Sequence, residues 1–187
     1  ACKVWSRQNP DFIMDVNVSF VQLQDSGFCG KVDALLQKYD LPAQNLALEL
    51  TESYFITNDS IVNESLECLN EMHIELSMDD FGIGYSSLGR LSEIDMDVVK
   101  VDRYFVKALH ISQYNHDFVE SVIRLCHNLN KEVCMEGVET KEEWETISLL
   151  NADLVQGFYI SRPVEPEVFY RKYLTSSYDS KSLVSPI

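Results

Sequence analysis

Two adjacent carboxylates, Asp79 and Asp80, close the run Ile74-Glu75-Leu76-Ser77-Met78 and are followed at once by Phe81-Gly82-Ile83-Gly84-Tyr85-Ser86-Ser87-Leu88. The run alternates with the period of a strand, so its last two side chains should leave the backbone on opposite sides as the strand frays into a turn. Carboxylates placed in this way can hold two cations side by side. Gly82 and Gly84 permit a sharp turn, or a close backbone approach to a ligand, that a side chain would block.

The elements that must position this pair recur along the chain. Segments rich in β-formers, Phe12 to Phe20, Leu46 to Leu50, Ile74 to Met78, Asp97 to Val101, Glu132 to Met135 and Asp153 to Tyr159, alternate with amphipathic stretches. Phe118, Val119, Val122, Ile123, Cys126 and Leu129 share one face of a helix. Thr140 and Glu143 form a capping box opening the helix that carries Trp144, Ile147 and Leu150. The alternation predicts an α/β chain with a parallel sheet, closed into a barrel or doubly wound. The predicted strands finish on polar residues in turn: Asn17 and Ser19, Glu49 and Glu52, Asp79 and Asp80, Lys100 and Asp102, Glu136 and Glu139, then Gln156. Parallel strands present their C-terminal ends on one face, so a single shared pocket is the economical inference.

Individual residues sharpen it. Glu49 sits between Leu48 and Leu50, and a buried carboxylate needs a metal or an ion pair to stay charged. Lys100, between Val99 and Val101, pairs with Asp102 two residues on, or faces an anion, or both. Asn17 reads equally as a hydrogen-bonded core amide or a ligand. Glu139 is expected to support the site from behind, and Gln156 taken alone is compatible with ordinary turn chemistry. His73, His110, His116 and His127 form no cluster. The remaining donors are oxygens, which hard cations prefer, so Mg²⁺ or Mn²⁺ is implied rather than zinc or copper.

Composition narrows the classes further. The 187 residues are 45% hydrophobic and 24% charged, with 15 Lys and Arg against 30 Asp and Glu, a net charge of -15. A polymeric nucleic acid is therefore a poor partner, whereas a small phosphate ligand is not, because bound divalent cations reverse the local field of an acidic pocket. No stretch reaches the roughly 20 apolar residues of a membrane span, and the N-terminus lacks the form of a signal peptide. Five scattered cysteines, Cys2, Cys29, Cys68, Cys126 and Cys134, argue against a disulfide framework or zinc site and for a reducing, cytoplasmic setting, which is compatible with a membrane-anchored parent. One domain over 1–173 is expected, with 174–187 as a flexible tail.

In order and spacing, Asn17-Val18-Ser19, Glu49-Leu50-Thr51-Glu52, Asp79-Asp80-Phe81-Gly82, Lys100-Val101-Asp102, Glu136-Gly137-Val138-Glu139 and Gln156-Gly157-Phe158 resemble the EAL domain, a phosphodiesterase of cyclic di-GMP. The resemblance implies a TIM-like (β/α)₈ barrel of the EAL type and hydrolysis of cyclic di-GMP to linear pGpG with two Mg²⁺ or Mn²⁺ ions. It makes Asn17, Glu49, Asp79, Asp80 and Glu136 the metal ligands. Glu136, Lys100 and Gln156 become the catalytic set, and Ser19, Asp102 and Gln156 contact substrate. Glu139 is a supporting group, and Glu52 anchors the loop from Phe81 to Leu88. Two departures stand out. Ile83 replaces the Thr usual in that loop, and the Glu-Ala-Leu tripeptide is absent from the sequence. Relative to the family the sequence begins within the helix before the Asn17 strand, so about six of eight strand and helix units are expected, against about 250 residues for a full barrel. Weak or no hydrolysis by the isolated chain follows. The alternatives are a receptor that binds cyclic di-GMP without cleaving it, and an interaction module with a homodimer face near the loop and helix after Asp80.

Overall fold

A computed structural model describes residues 1–51, 59–83, 91–92 and 95–174. Glu52, Gly84 to Leu88 and the tail 175–187 lie outside the described residues, so the anchoring role of Glu52 and the character of the tail stay as expectations. Among the described residues there are six strands, β1 (Met14–Asn17), β2 (Leu46–Thr51), β3 (Glu75–Phe81), β4 (Val98–Val101), β5 (Glu132–Glu136) and β6 (Leu154–Gln156), hydrogen-bonded in chain order. Each falls inside or beside a segment expected to be a strand. The first and last are shorter than expected, because Ser19 and Gly157 begin turns that end the pairing. The helices between them are α1 (Cys2–Gln8), α2 (Phe20–Leu23), α3 (Phe28–Tyr39), α4 (Ser60–Glu71), α5 (Arg103–Val106), α6 (Gln113–Asn128), α7 (Lys141–Leu150) and α8 (Pro166–Phe169). None is long and apolar enough to cross a membrane.

The chain divides into two compact units, Ala1–Leu48 with Asp59–Glu75 and Pro163–Ile187, and Glu49–Asn58 with Leu76–Arg162. The first is built on Leu23, Val32, Leu36, Val62 and Leu69, all buried, and on an aromatic cluster in which Trp5 lies 5.5 Å from Phe12 and 4.9 Å from Phe169. Asn45 is the polar centre of this unit. Its Nδ2 donates to the carbonyls of Pro10 at 2.8 Å and Phe12 at 2.7 Å, fixing the approach to β1. Asn45→Ala removes both of these hydrogen bonds together with the buried amide that made them, so a loss of about 2 kcal/mol is expected, read as a lower urea midpoint at unchanged m-value.

The same unit corrects one expectation. Cys29 on α3 and Cys68 on α4 form a disulfide, with Cα atoms 6.4 Å apart. Their separation of 39 residues carries no sequence signal. Only the packing of one helix beside the other brings them together.

In the second unit β3 to β6 pair in parallel, with Val99 opposite Val133 and Met135 opposite Val155. One face carries Val99, Val101, Val133 and Met135, all buried, and α5 and α6 pack near β5. The α6 face anticipated from periodicity supplies Val119, Val122, Ile123 and Cys126, every one buried. Burial in these apolar surroundings pushes the Cys126 thiol up to about 11. Two aspartates that immediately precede strands hold the starting register. Asp97 Oδ2 accepts from the amide of Leu76 at 2.8 Å, and Asp153 Oδ2 accepts from the amide of Val133 at 2.8 Å while also meeting His127 Nε2 at 2.8 Å.

Candidate active site

Lys100 is the centre of the polar ends of these strands. Strand alternation puts it on the face opposite Val99 and Val101, and the parallel register sets it beside Cys134, with Glu136 two residues further and Gln156 opposite Glu136. Its Nζ donates to Glu49 Oε1 at 2.5 Å and to Glu136 Oε1 at 2.9 Å. The ammonium is almost wholly enclosed, with 5% of its side chain exposed against 8% for Glu49 and 17% for Glu136. Burial by itself would lower the Lys100 pKa, but the hydrogen bonds and charges of Glu136 and Glu49 outweigh it and drive the pKa up. Burial raises the Glu136 pKa, helped by the charges of Asp79 and Glu49, and the Lys100 contact only partly opposes this.

Glu49, whose burial calls for a metal or an ion pair, has the Lys100 ammonium beside it. The alternative pairing of Lys100 with Asp102 did not form. After Val101 the chain leaves the strand, Asp102 adopts φ -60° and ψ 146°, and its Oδ1 accepts from the amide of Tyr104 at 2.7 Å to cap α5. Alternation stops applying one residue before Asp102 is reached.

Asp79 and Asp80 are separated by a different device from the one expected. The strand does not fray before them, since β3 continues to Phe81. Met78 pairs with Val99 and Phe81 with Val101, so three steps on β3 match two on β4 and one residue bulges out. Asp80 has φ 58°, a left-handed conformation inside a strand, while the other left-handed non-glycine residues among those described, Asp40, His73, Ala108, Asn130 and Asn151, follow helices. Asp79 is half-buried and Asp80 exposed, and the Asp80 amide donates to Asp79 Oδ1 at 3.0 Å. Gly82 then takes φ 100°, a conformation for which glycine is suited.

The remaining residues are placed as follows. Asn17 ends β1 in the first unit and is exposed. Ser19 is the N-cap of α2, with its hydroxyl and amide both on Gln22 Oε1 at 2.8 and 2.9 Å. Glu139 is exposed, and the carboxylate serving this loop belongs instead to Glu143, whose Oε2 accepts from the amides of Glu139 at 2.9 Å and Thr140 at 3.1 Å. The capping box at Thr140 and Glu143 was legible, but its reach to Glu139 was not. Gln156 is exposed at the end of β6, and its carbonyl accepts from the Val138 amide at 3.1 Å. Cys134 was not singled out, although strand alternation from Glu136 places it on the same face.

A family model described as the EAL domain matches residues 1–163. The chain belongs to the EAL domain family. It is 34% identical over 161 residues to the cyclic di-GMP phosphodiesterase RocR of Pseudomonas aeruginosa, covering 86% of this chain and 41% of RocR. The structure of the PaMucR phosphodiesterase in complex with c-di-GMP superposes with a TM-score of 0.80 at 31% identity, over 90% of this chain and 71% of that one. A manganese and cyclic di-GMP complex of Klebsiella pneumoniae BlrP1 gives 0.79 at 33% identity, over 86% and 42%. The six strands in chain order fit an incomplete EAL-type barrel. This EAL chain spans about a fifth to two fifths of the length of the curated relatives it matches, 20% to 41%.

The donor set of this EAL domain suits a hard divalent cation. Glu49, Asp79 and Glu136 lie close enough for the charges of the first two to raise the pKa of the third, and one ammonium cannot neutralise three carboxylates. Structures of Klebsiella pneumoniae BlrP1 with cyclic di-GMP hold manganese in one case and calcium in another.

Proposed function

We propose that the chain is the catalytic portion of a cyclic di-GMP phosphodiesterase that opens one of the two phosphodiester bonds to give linear pGpG. The observation that carries the reading is the cluster of Glu49 on β2, Lys100 on β4 and Glu136 at the end of β5, held together by the Lys100 ammonium, with the Asp79-Asp80 bulge on β3 between them in strand order. Glu49, Asp79, Asp80 and Glu136 would hold two Mg²⁺ or Mn²⁺ ions, and the family resemblance adds Asn17. Bound there, such ions supply Lewis acidity toward a phosphate oxygen and lower the pKa of water.

The chain's own residues divide the remaining work. Glu136, made more basic by burial, accepts the proton of the attacking water as the new P–O bond forms and the bond to the 3′-oxygen breaks. That oxygen takes up the proton that Glu136 accepted and leaves as a 3′-hydroxyl, and the water oxygen remains on the 5′-phosphate. Lys100, whose proton is held more tightly than usual, acts by its positive charge on the phosphoryl oxygens rather than as an acid. Gln156 orients the water, while Ser19 and Asp102 contribute to substrate contact through the turns they cap. A cytoplasmic setting and a homodimer belong to the same reading, with cyclic di-GMP as the partner of the site.

The test is Mn²⁺-dependent formation of pGpG from cyclic di-GMP, measured for the natural protein that carries this domain and for the 187-residue chain. Turnover by the natural protein, weaker turnover by the chain and a drop of about 10²- to 10⁴-fold for Glu136→Gln are expected. Mn²⁺-independent turnover, or none from a folded natural protein, sinks the proposal. Cyclic di-GMP binding without cleavage in that protein selects the receptor reading.

A further inference from the structure

We propose that Cys29 and Cys68 are a reversible thiol–disulfide pair that makes the stability of the first unit respond to its redox surroundings. Of the five cysteines only these two are bridged, and both are carried on helices that pack side by side. Their Cα separation of 6.4 Å lies within the span a disulfide accepts without backbone movement. Cys126 and Cys134 are buried in the second unit, and Cys2 is half-buried on α1.

The two sulfurs are not equivalent. Cys29 is 7% exposed, near the start of α3, and its Sγ lies 3.4 Å from Met72 Sδ, whereas Cys68 is half-buried on α4. Cys68 is the less buried residue of the two, so in this proposal reduction begins at its sulfur. A dithiol such as dithiothreitol attacks Cys68 Sγ as a thiolate. The S–S bond breaks and Cys29 leaves as a thiolate that takes up a proton. The second thiol of the reductant then attacks its own sulfur in the mixed disulfide, and Cys68 is released as a thiol. Two electrons and two protons pass to the pair, and the dithiol becomes a cyclic disulfide. Oxidised glutathione runs the sequence backward, closing the bridge by two exchanges and leaving as two glutathione thiols.

The consequence follows from what the bridge encloses. Between Cys29 and Cys68 the chain runs through the rest of α3, the turn Ala43–Asn45, β2 and most of α4. Closing a loop of this length restricts the unfolded chain, so the bridged form resists unfolding more than the reduced form. The segment includes Asn45, the polar centre of the first unit, and Glu49. The pair therefore adjusts the stability of the first unit, and the proposal does not depend on what the active site hydrolyses.

The experiment equilibrates the purified chain in defined mixtures of reduced and oxidised glutathione, labels thiols with a maleimide after denaturation, and follows unfolding by circular dichroism. Five labelled thiols are expected in the reduced sample and three in the oxidised one, with a Cys29–Cys68 cross-linked peptide by mass spectrometry. The oxidised wild type should melt about 5 °C or more above the reduced wild type, and a Cys29→Ser, Cys68→Ser double variant should show no such difference. Five labelled thiols at every ratio, a bridge between other cysteines, or a bridge that leaves the melting temperature unchanged would overturn the proposal. The comparison of wild type with itself keeps the test decisive if the double variant does not fold.

Discussion

Lys100→Met should lower the unfolding free energy of the chain by about 3 to 5 kcal/mol at neutral pH, the cost of removing one partner from a buried ion pair. Methionine fills the volume of the lysine stem, so the loss is electrostatic rather than a cavity. Glu49 and Glu136 would be left facing one another with only 8% and 17% of their side chains exposed. Protonation of one acid is the available relief, which gives the variant a distinctive pH dependence. The Glu136 pKa is already raised in the folded chain by burial and by the charges of Asp79 and Glu49, and removing the ammonium raises it further. A group whose folded pKa exceeds its unfolded one contributes stability that is present at low pH and lost as pH rises through the folded value. The deficit of the variant should therefore shrink as pH falls from neutrality toward the ordinary carboxylate range, the reverse of ordinary acid destabilisation. Urea titrations at several pH values measure this, and a deficit that grows on acidification would contradict it. Mn²⁺ should restore more stability to the variant than to the wild type, because it answers the same surplus of negative charge.

Gly157→Ala should cost about 3 kcal/mol, at the upper end for overpacking, because the obstruction is backbone on both sides. A Cβ at this position would stand 2.1 Å from the carbonyl oxygen of Val138 and 2.3 Å from its nitrogen. Both atoms are committed, the nitrogen donating to the Gln156 carbonyl at 3.1 Å and the oxygen accepting from the Tyr159 amide at 2.9 Å. Moving aside means breaking the junction that keeps Gln156 opposite Glu136. The requirement is one of space and not of torsion. Thermal unfolding of the alanine variant, together with loss of amide protection at Val138 and Tyr159, checks the expectation; a variant as stable as the parent would contradict it.

The sequence was most informative where one local rule acted alone. Runs of β-formers located the six strands among the described residues, period 3.6 located the buried stripe of α6, and the capping box located the start of α7. The cost of burying a charge identified Glu49 and Lys100 as needing partners before any partner was known. What could not be read depended on two segments meeting. The Glu49–Lys100 contact joins residues 51 apart, and the Cys29–Cys68 bridge residues 39 apart, with no pattern linking either pair. The bulge at Asp80 is similarly hidden, because an extra residue in β3 exists only relative to the register of β4. The pairing of Lys100 with Asp102 failed for the opposite reason: alternation was carried one residue beyond the strand that justifies it.

Asp97 and Asp153 gain a second meaning from this. Each stands just before a strand and grips the first residues of a neighbouring one, Leu76 and Val133. Parallel strands can slide, and a slip of one residue, about 3.3 Å, turns every side chain to the other face. For β4 it would present Val99 or Val101 to Glu49 and send Lys100 among the apolar side chains. The two aspartates act as keys cut at one end of the sheet. They choose, from a strand that reads almost uniformly Val-Val-Lys-Val, which single residue arrives at the chemistry at the other end.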